Sequence, residues 1–185
     1  MLPSSTALLI VDVQHAIDHP SWGQRNNPDA ERNIAALLAA WRDMGRPIYH
    51  IRHDSVEPAS LYRPGQPGHG FKSEALPAPG EAVIGKQTNS AFIGTDLEAR
   101  LRAAGHLTLV VAGVITNNSV EATVRMAGNL GFHTYFAEDA CFTFARRDWH
   151  GMHRSASDVH AMSLANLDGE YCTVKRTAGI LAALR

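Results

Sequence analysis

Three residue types able to do acid-base or nucleophilic chemistry stand directly after apolar runs in this 185-residue sequence. Asp12 closes ALLIVD, Lys86 closes AVIGK, and Ser119 follows LTLVVAGV by five residues. Each run reads as a buried strand, which puts all three residues at carboxyl ends of strands. In an open α/β sheet those ends converge on one crevice, where unpaired backbone N–H groups and helix dipoles favour a developing negative charge. An acid there is partly desolvated and needs a partner, and Lys86 is the cation in reach. From spacing alone, a structural salt bridge and a proton-transfer pair are equally good accounts of Asp12 and Lys86. Three further residues are candidates for substrate contact: Gln14 beside the acid, His53 after the second strand, and Phe92 as a pocket wall.

The elements that must position these groups can be read from periodicity. Leu107 to Val114 is almost unbroken apolar and β-branched, the pattern of a central strand buried on both faces. Asn117 and Asn118 can cap the helix that follows, in which Val120, Thr123, Val124, Ala127 and Leu130 recur at helical spacing before Gly131. Ser119 then falls in a helical first turn. Earlier, Thr6 to Val13 predicts a strand, Asp29 to Met44 an amphipathic helix with Ile34, Leu37, Leu38 and Trp41 on one face, and Pro47 to Arg52 a second strand. His53 to Gly80 is rich in Pro and Gly and too long for an ordinary connection, so it reads as a binding loop or lid. Glu81 to Lys86 predicts a third strand, Gly94 to Ala104 a helix, and His133 to Ala137 a fifth strand. The segment AEDACFTFARRDWHG reads as a long loop, with Asp139–Phe144 and Trp149 candidates for contact with a neighbouring subunit. Met152 to Leu167 reads as a helix, Tyr171 to Lys175 as a sixth strand and Thr177 to Leu184 as a closing helix. Alternating strands and helices imply right-handed crossovers, hence an α/β class and a three-layer α/β/α sandwich with a six-stranded parallel sheet.

Length and the lack of a linker predict a single domain over residues 1–185. With a formal net charge of −1, no basic footprint points to nucleic acid or to a membrane surface. A small-molecule partner is the expectation. The opening MLPSSTALLIVDVQ lacks a charged n-region and meets an Asp early, which argues against a signal peptide and for a cytoplasmic protein. Cys141 and Cys172 read as buried free thiols rather than as a disulfide framework.

The motifs ALLIVDVQ at Ala7–Gln14, GKQTNSAFIGTDLEARLRAAG at Gly85–Gly105, LVVAGVITNNSVEATVRMA at Leu109–Ala127 and the later GFHTYFAEDA make the sequence recognisable. It resembles, over essentially its whole length, the isochorismatase-like hydrolase superfamily, also called the cysteine hydrolases. That resemblance implies a six-stranded parallel sheet, frequent homo-oligomers and an Asp-Lys-Cys triad. Asp12 and Lys86 match the family acid and lysine, and Ser119 falls where the cysteine nucleophile would be. It also implies a cis peptide in the turn before the nucleophile, at Val114–Ile115, next to the oxyanion site. Nicotinamidase-like members hold a metal through an Asp-x-His pair and another His after the second strand. His50–Ile51–Arg52–His53–Asp54 does not reproduce that spacing, so no metal and no cofactor are expected. The serine leaves three explanations open. It is native to a branch without covalent catalysis, as in isochorismatases proper that cleave a vinyl ether; it is an engineered replacement for cysteine; or the fold serves as a catalytically silent binding protein.

Overall fold

The computed structural model describes residues 1–184. Its sheet forms because segments of three to ten residues, most of them rich in apolar side chains, find parallel partners on either side of the first strand. The strands are β1 (Ala7–Val11), β2 (Ile48–His53), β3 (Ala82–Lys86), β4 (Thr108–Val114), β5 (His133–Phe142) and β8 (Thr173–Lys175), arranged in the order β3-β2-β1-β4-β5-β8. All pairings within this sheet are parallel. The order reverses between β1 and β4, which makes the gap beyond their carboxyl ends the topological switch point. Every residue of β1 is buried, as a central strand covered on both faces requires.

The connections are helices α1 (Ala30–Asp43), α2 (Leu97–Ala103), α3 (Glu121–Asn129), α4 (Ala156–Leu167) and α5 (Thr177–Ala182). Helix α1 packs with α5, and α3 with α4. Right-handed crossovers produce this division, because the chain leaves β1 in one direction through α1 and returns across the sheet in the other. Ile34, Leu37, Leu38 and Trp41 on α1 are buried, as are Leu97 and Leu101 on α2. The fold is thus the expected α/β/α arrangement.

Two segments differ from their sequence reading. The fifth strand does not stop at Ala137 but runs to Phe142, with a bulge opposite β4 between Val111 and Gly113. Glu138 and Asp139 look like loop residues. In the fold, side chains from elsewhere take up the groups that the bulge frees. The Asn27 amide donates to the carbonyls of Glu138 (2.9 Å) and Cys141 (2.7 Å), and that of Asn33 to Asp139 (2.7 Å). The Asp139 carboxylate accepts from the Thr177 N–H and hydroxyl, each at 2.7 Å. The expected helix from Met152 begins only at Ala156, behind a Ser155–Asp158 capping box. Residues before it form a small antiparallel hairpin of β6 (Arg146–Arg147) and β7 (His153–Arg154).

Gly113 shows why the centre of the sheet tolerates no side chain there. Its φ is +131°, and a Cβ would stand 2.2 Å from the Val11 carbonyl oxygen. Strands β1 and β4 approach closely at the point where their two carboxyl ends must meet.

Candidate active site

Strand ends place the acid, the ammonium and the hydroxyl around one buried point. Asp12 follows β1 directly, in the left-handed region at φ 54°, which turns its side chain out of the strand's alternation. Lys86 ends β3, two strands away, about 10 Å at ordinary strand spacing. A long side chain is therefore needed to reach Asp12, and it crosses His53 at the end of β2 on the way. Lys86 Nζ lies 2.6 Å from Asp12 Oδ2, 3.0 Å from the Thr88 carbonyl, 3.3 Å from Ser119 Oγ and 3.3 Å from His53 Nδ1. Three N–H groups face four acceptors, so the two longer contacts share a donor. Because an ammonium only donates, His53 Nδ1 must accept, which leaves the imidazole proton on Nε2.

Ser119 lies in a π-helical turn, Thr116–Val120, that leads into α3. The peptide bond between Val114 and Ile115, at the entry to this turn, is cis. The Asn118 and Val120 N–H groups both donate to the Ile115 carbonyl, at 3.0 and 3.3 Å. From behind, Thr116 Oγ1 meets His160 Nδ1 of α4 at 2.9 Å. At the side, Thr143 Oγ1 donates to Asn117 Oδ1 at 2.5 Å. The turn is thus held by its own backbone bonds, from behind by α4 and at the side by Thr143.

Burial dominates the electrostatics. It pushes the Asp12 carboxyl above its ordinary range, while Lys86, the Ser119 hydroxyl and His53 pull in the opposite direction. Asp12 is 3% exposed and Lys86 1%. Asp12 Oδ1 is buried with no hydrogen-bond partner among the described residues. An unpartnered carboxyl oxygen beside a saturated ammonium is the atom free to take or give a proton. His53 is lowered by burial first and by Lys86 second, so its ring is neutral at pH 7.

The other candidates fall in different surroundings. Gln14 is fully buried: its amide donates to the carbonyls of His53 (3.2 Å) and His69 (2.7 Å), and its Oε1 accepts from the His53 N–H (2.7 Å). It thereby clamps the end of β2 to the long loop. Phe92 packs on Phe132 at 5.6 Å within the main core. Arg52 is paired with Asp54, which also accepts from His69. Among the described residues no group of three or more His, Cys, Asp or Glu side chains is disposed to hold a metal.

One apolar wall is assembled from residues far apart in the sequence. Ile17, Val114, Ile115, Phe142 and Phe144 form a cluster of their own, with Trp22 and Tyr62 packed against it. Tyr62 meets the His53 ring edge-on at 5.6 Å, and burial, followed by the charges of Asp12 and Asp18, drives its phenol well above the usual range. Its only sequence signal was membership of the Pro- and Gly-rich loop.

Acid, ammonium and hydroxyl thus meet, buried, at the switch point of a parallel sheet. The chain belongs to the isochorismatase family, whose members are hydrolases: the family model described as "Isochorismatase domain" matches residues 6–174. The crystal structure of an isochorismatase-family protein from Chromobacterium violaceum is 68% identical, with a TM-score of 0.97, over 100% of this chain and 95% of that one. YrdC, an isochorismatase family protein of Bacillus subtilis, is 43% identical over 92% of this chain and 91% of its own length. The ureidoacrylate amidohydrolase RutB of Methylobacterium radiotolerans is 29% identical over 98% of this chain and 80% of its own length.

Proposed function

We propose that this isochorismatase-family hydrolase cleaves a carbonyl C–N bond in a small molecule, with water rather than a side chain as the nucleophile. The observation that carries the reading is the Lys86 ammonium standing 2.6 Å from Asp12 and 3.3 Å from Ser119 in a buried crevice. Similarity to an amidohydrolase supports the bond type. In this mechanism the Asp12 carboxylate takes a proton from water, and the hydroxide adds to the carbonyl carbon. The oxyanion is met by N–H groups of the turn at Ile115–Ser119 other than that of Asn118, which already donates to the Ile115 carbonyl. As the C–N bond breaks, the Asp12 carboxylic acid returns the proton to the leaving nitrogen, giving a carboxylic acid and an amine. Lys86 holds Asp12 in place and balances its charge, and Ser119 hydrogen-bonds the substrate. A serine hydroxyl ionises far less readily than a thiol, which favours water over Ser119 as the nucleophile.

A second reading rests on the upward-shifted Asp12 carboxyl. Protonated, it serves as a general acid towards a vinyl ether, and the site runs the opposite proton transfer first.

We further propose that the protein works as one catalytic domain in the cytoplasm, as a homo-oligomer. Two buried free cysteines fit a reducing compartment. Oligomerisation is supported by a groove of about 860 Å³ between the β6–β7 hairpin and α4, beside which Trp149 is 96% exposed and Met162 64%. A two-fold interface needs knob and hole on one face, and this face carries both.

The functional test assays amide and vinyl-ether substrates with the protein, Asp12→Asn, Ser119→Ala and Ser119→Cys. Turnover lost in Asp12→Asn and retained in Ser119→Ala is the expected result. Turnover appearing only in Ser119→Cys would mean a displaced covalent nucleophile, and none in any version would leave a binding protein.

A further inference from the structure

Behind the turn that carries Ser119, α4 presents a buried imidazole that takes no part in the proton transfers above. His160 is 6% exposed, and its Nδ1 lies 2.9 Å from Oγ1 of Thr116, the first residue of the turn. Thr116 is fully buried, and its hydroxyl has no other partner among the described residues. Each of the two groups thus satisfies the other, as buried polar atoms require.

The far side of the ring decides which of them donates. Burial lowers the His160 pKa, so the ring is neutral at pH 7 and carries a single N–H. Nε2 faces Glu138 of β5, whose Oε2 stands 3.9 Å away and whose Oε1 is 3.3 Å from Arg176. A lone pair on Nε2 would point at that carboxylate, whereas an N–H is attracted to it. The proton therefore belongs on Nε2, which leaves Nδ1 bare and makes the Thr116 hydroxyl the donor. Nε2 itself is buried with no hydrogen-bond partner among the described residues, so the ring has one hydrogen-bonded anchor, Thr116.

The contact bears on Ser119 because of where it falls along the chain. Thr116 opens the π-helical turn, whose Asn118 and Val120 N–H groups close onto the Ile115 carbonyl, and from within it Ser119 Oγ meets Lys86 Nζ at 3.3 Å. One turn further along α4, Ser163 Oγ donates to Glu121 Oε2 at 2.5 Å, at the start of α3. The same helix therefore makes one contact that reaches the catalytic turn and one that falls beyond it.

We propose that His160 is a positioning residue for the hydrolysis: by accepting from the Thr116 hydroxyl it fixes the turn on which Ser119 stands, and so sets its distance from Asp12 and Lys86. The inference rests on the hydrolase reading given above.

Hydrogen exchange and kinetics on the intact protein test it together, with 4-nitroacetanilide as the amide probe and circular dichroism to verify folding. The variants are His160→Leu, Thr116→Val, the two combined, His160→Asn, which keeps an acceptor near the place of Nδ1, and Ser163→Ala as control. In His160→Leu the Asn118 and Val120 amides should exchange about tenfold faster while those of β1 and β4 keep their rates. There kcat should fall about tenfold, with KM within about twofold. Thr116→Val should behave alike, the combined variant should be no worse than either single one, and His160→Asn should recover part of both effects. Ser163→Ala should leave kcat and the two turn amides unchanged. If His160→Leu does not fold, Thr116→Val and His160→Asn carry the same comparison. Unchanged turn exchange overturns the proposal, as does equal acceleration at β1 and β4, faster turn exchange with kcat unaltered, or a loss in Ser163→Ala as large as that in His160→Leu. Any of these with turnover still abolished in Asp12→Asn removes His160 alone and leaves the hydrolase reading standing. Turnover that survives Asp12→Asn removes that reading, whatever the turn amides do.

Discussion

At the scale of single residues, the proposed chemistry depends on which form of Asp12 burial favours. Desolvation raises its carboxyl from 3.8, and Ser119 is among the groups that oppose the rise. If Asp12 works as a base, kcat/KM falls as the pH drops through this raised value, because the carboxylate is lost. Removing the opposing hydroxyl in Ser119→Ala should move that limb to higher pH. A pH-rate series on both proteins checks this, and a limb that stays in place excludes Asp12 as its source. The vinyl-ether reading demands the mirror image, with activity falling as the pH rises. Lys86→Met should lower kcat/KM by about 100-fold or more, since it removes both the counter-charge and the group that fixes the acid. Asp12 and Lys86 were legible in the sequence because each ends an apolar run. His53's contact with Lys86 was not, since register alone puts β2 beneath the lysine's path.

Elements decide how closely those residues approach one another. Gly113→Ala would place a methyl group 2.2 Å from a backbone oxygen of β1, at a φ that side chains resist. A loss of about 4 kcal/mol or more in denaturant unfolding is expected, or failure to fold. A well-folded Gly113→Ala of unchanged stability would contradict the close approach of β1 and β4. Gly85 on the edge strand differs, because the atom a Cβ would meet there, Asp54 Oδ2 at 2.3 Å, ends a side chain that can turn aside. Periodicity gave most helices and strands to within a few residues, because amphipathic faces and apolar runs are local properties. The extension of β5 through Glu138 and Asp139 escaped it, because the groups that pay for that bulge, Asn27, Asn33 and Thr177, lie far away in sequence.

For the molecule as a whole, two ion networks tie helix to sheet and loop. Glu81 accepts from Arg42, the Ala78 N–H and His50, and Glu31 from Arg25 and Lys72. Burial would raise both carboxyls, but these donors outweigh it and hold each at about 2. A carboxyl lowered on folding contributes stability above its ordinary value of 4.5 and loses it as the pH falls towards 2. Unfolding midpoints should therefore drop over that window. Glu81→Gln should flatten the drop and lower stability at neutral pH by about 1–3 kcal/mol. Trp149→Asp should shift the protein to a smaller species in light scattering, and an unchanged mass would remove the groove from the interface. The alternation of strands and helices, the buried strands and the three chemically able residues at or after their tips were legible from the amino-acid order, because burial periodicity and strand ends are written locally. It took the folded chain to show that those tips meet, that Gln14 is bonded to His53 and His69, that Phe92 packs on Phe132, and that Tyr62 lies against His53. These are matters of strand order and loop path, set by contacts between residues dozens of positions apart.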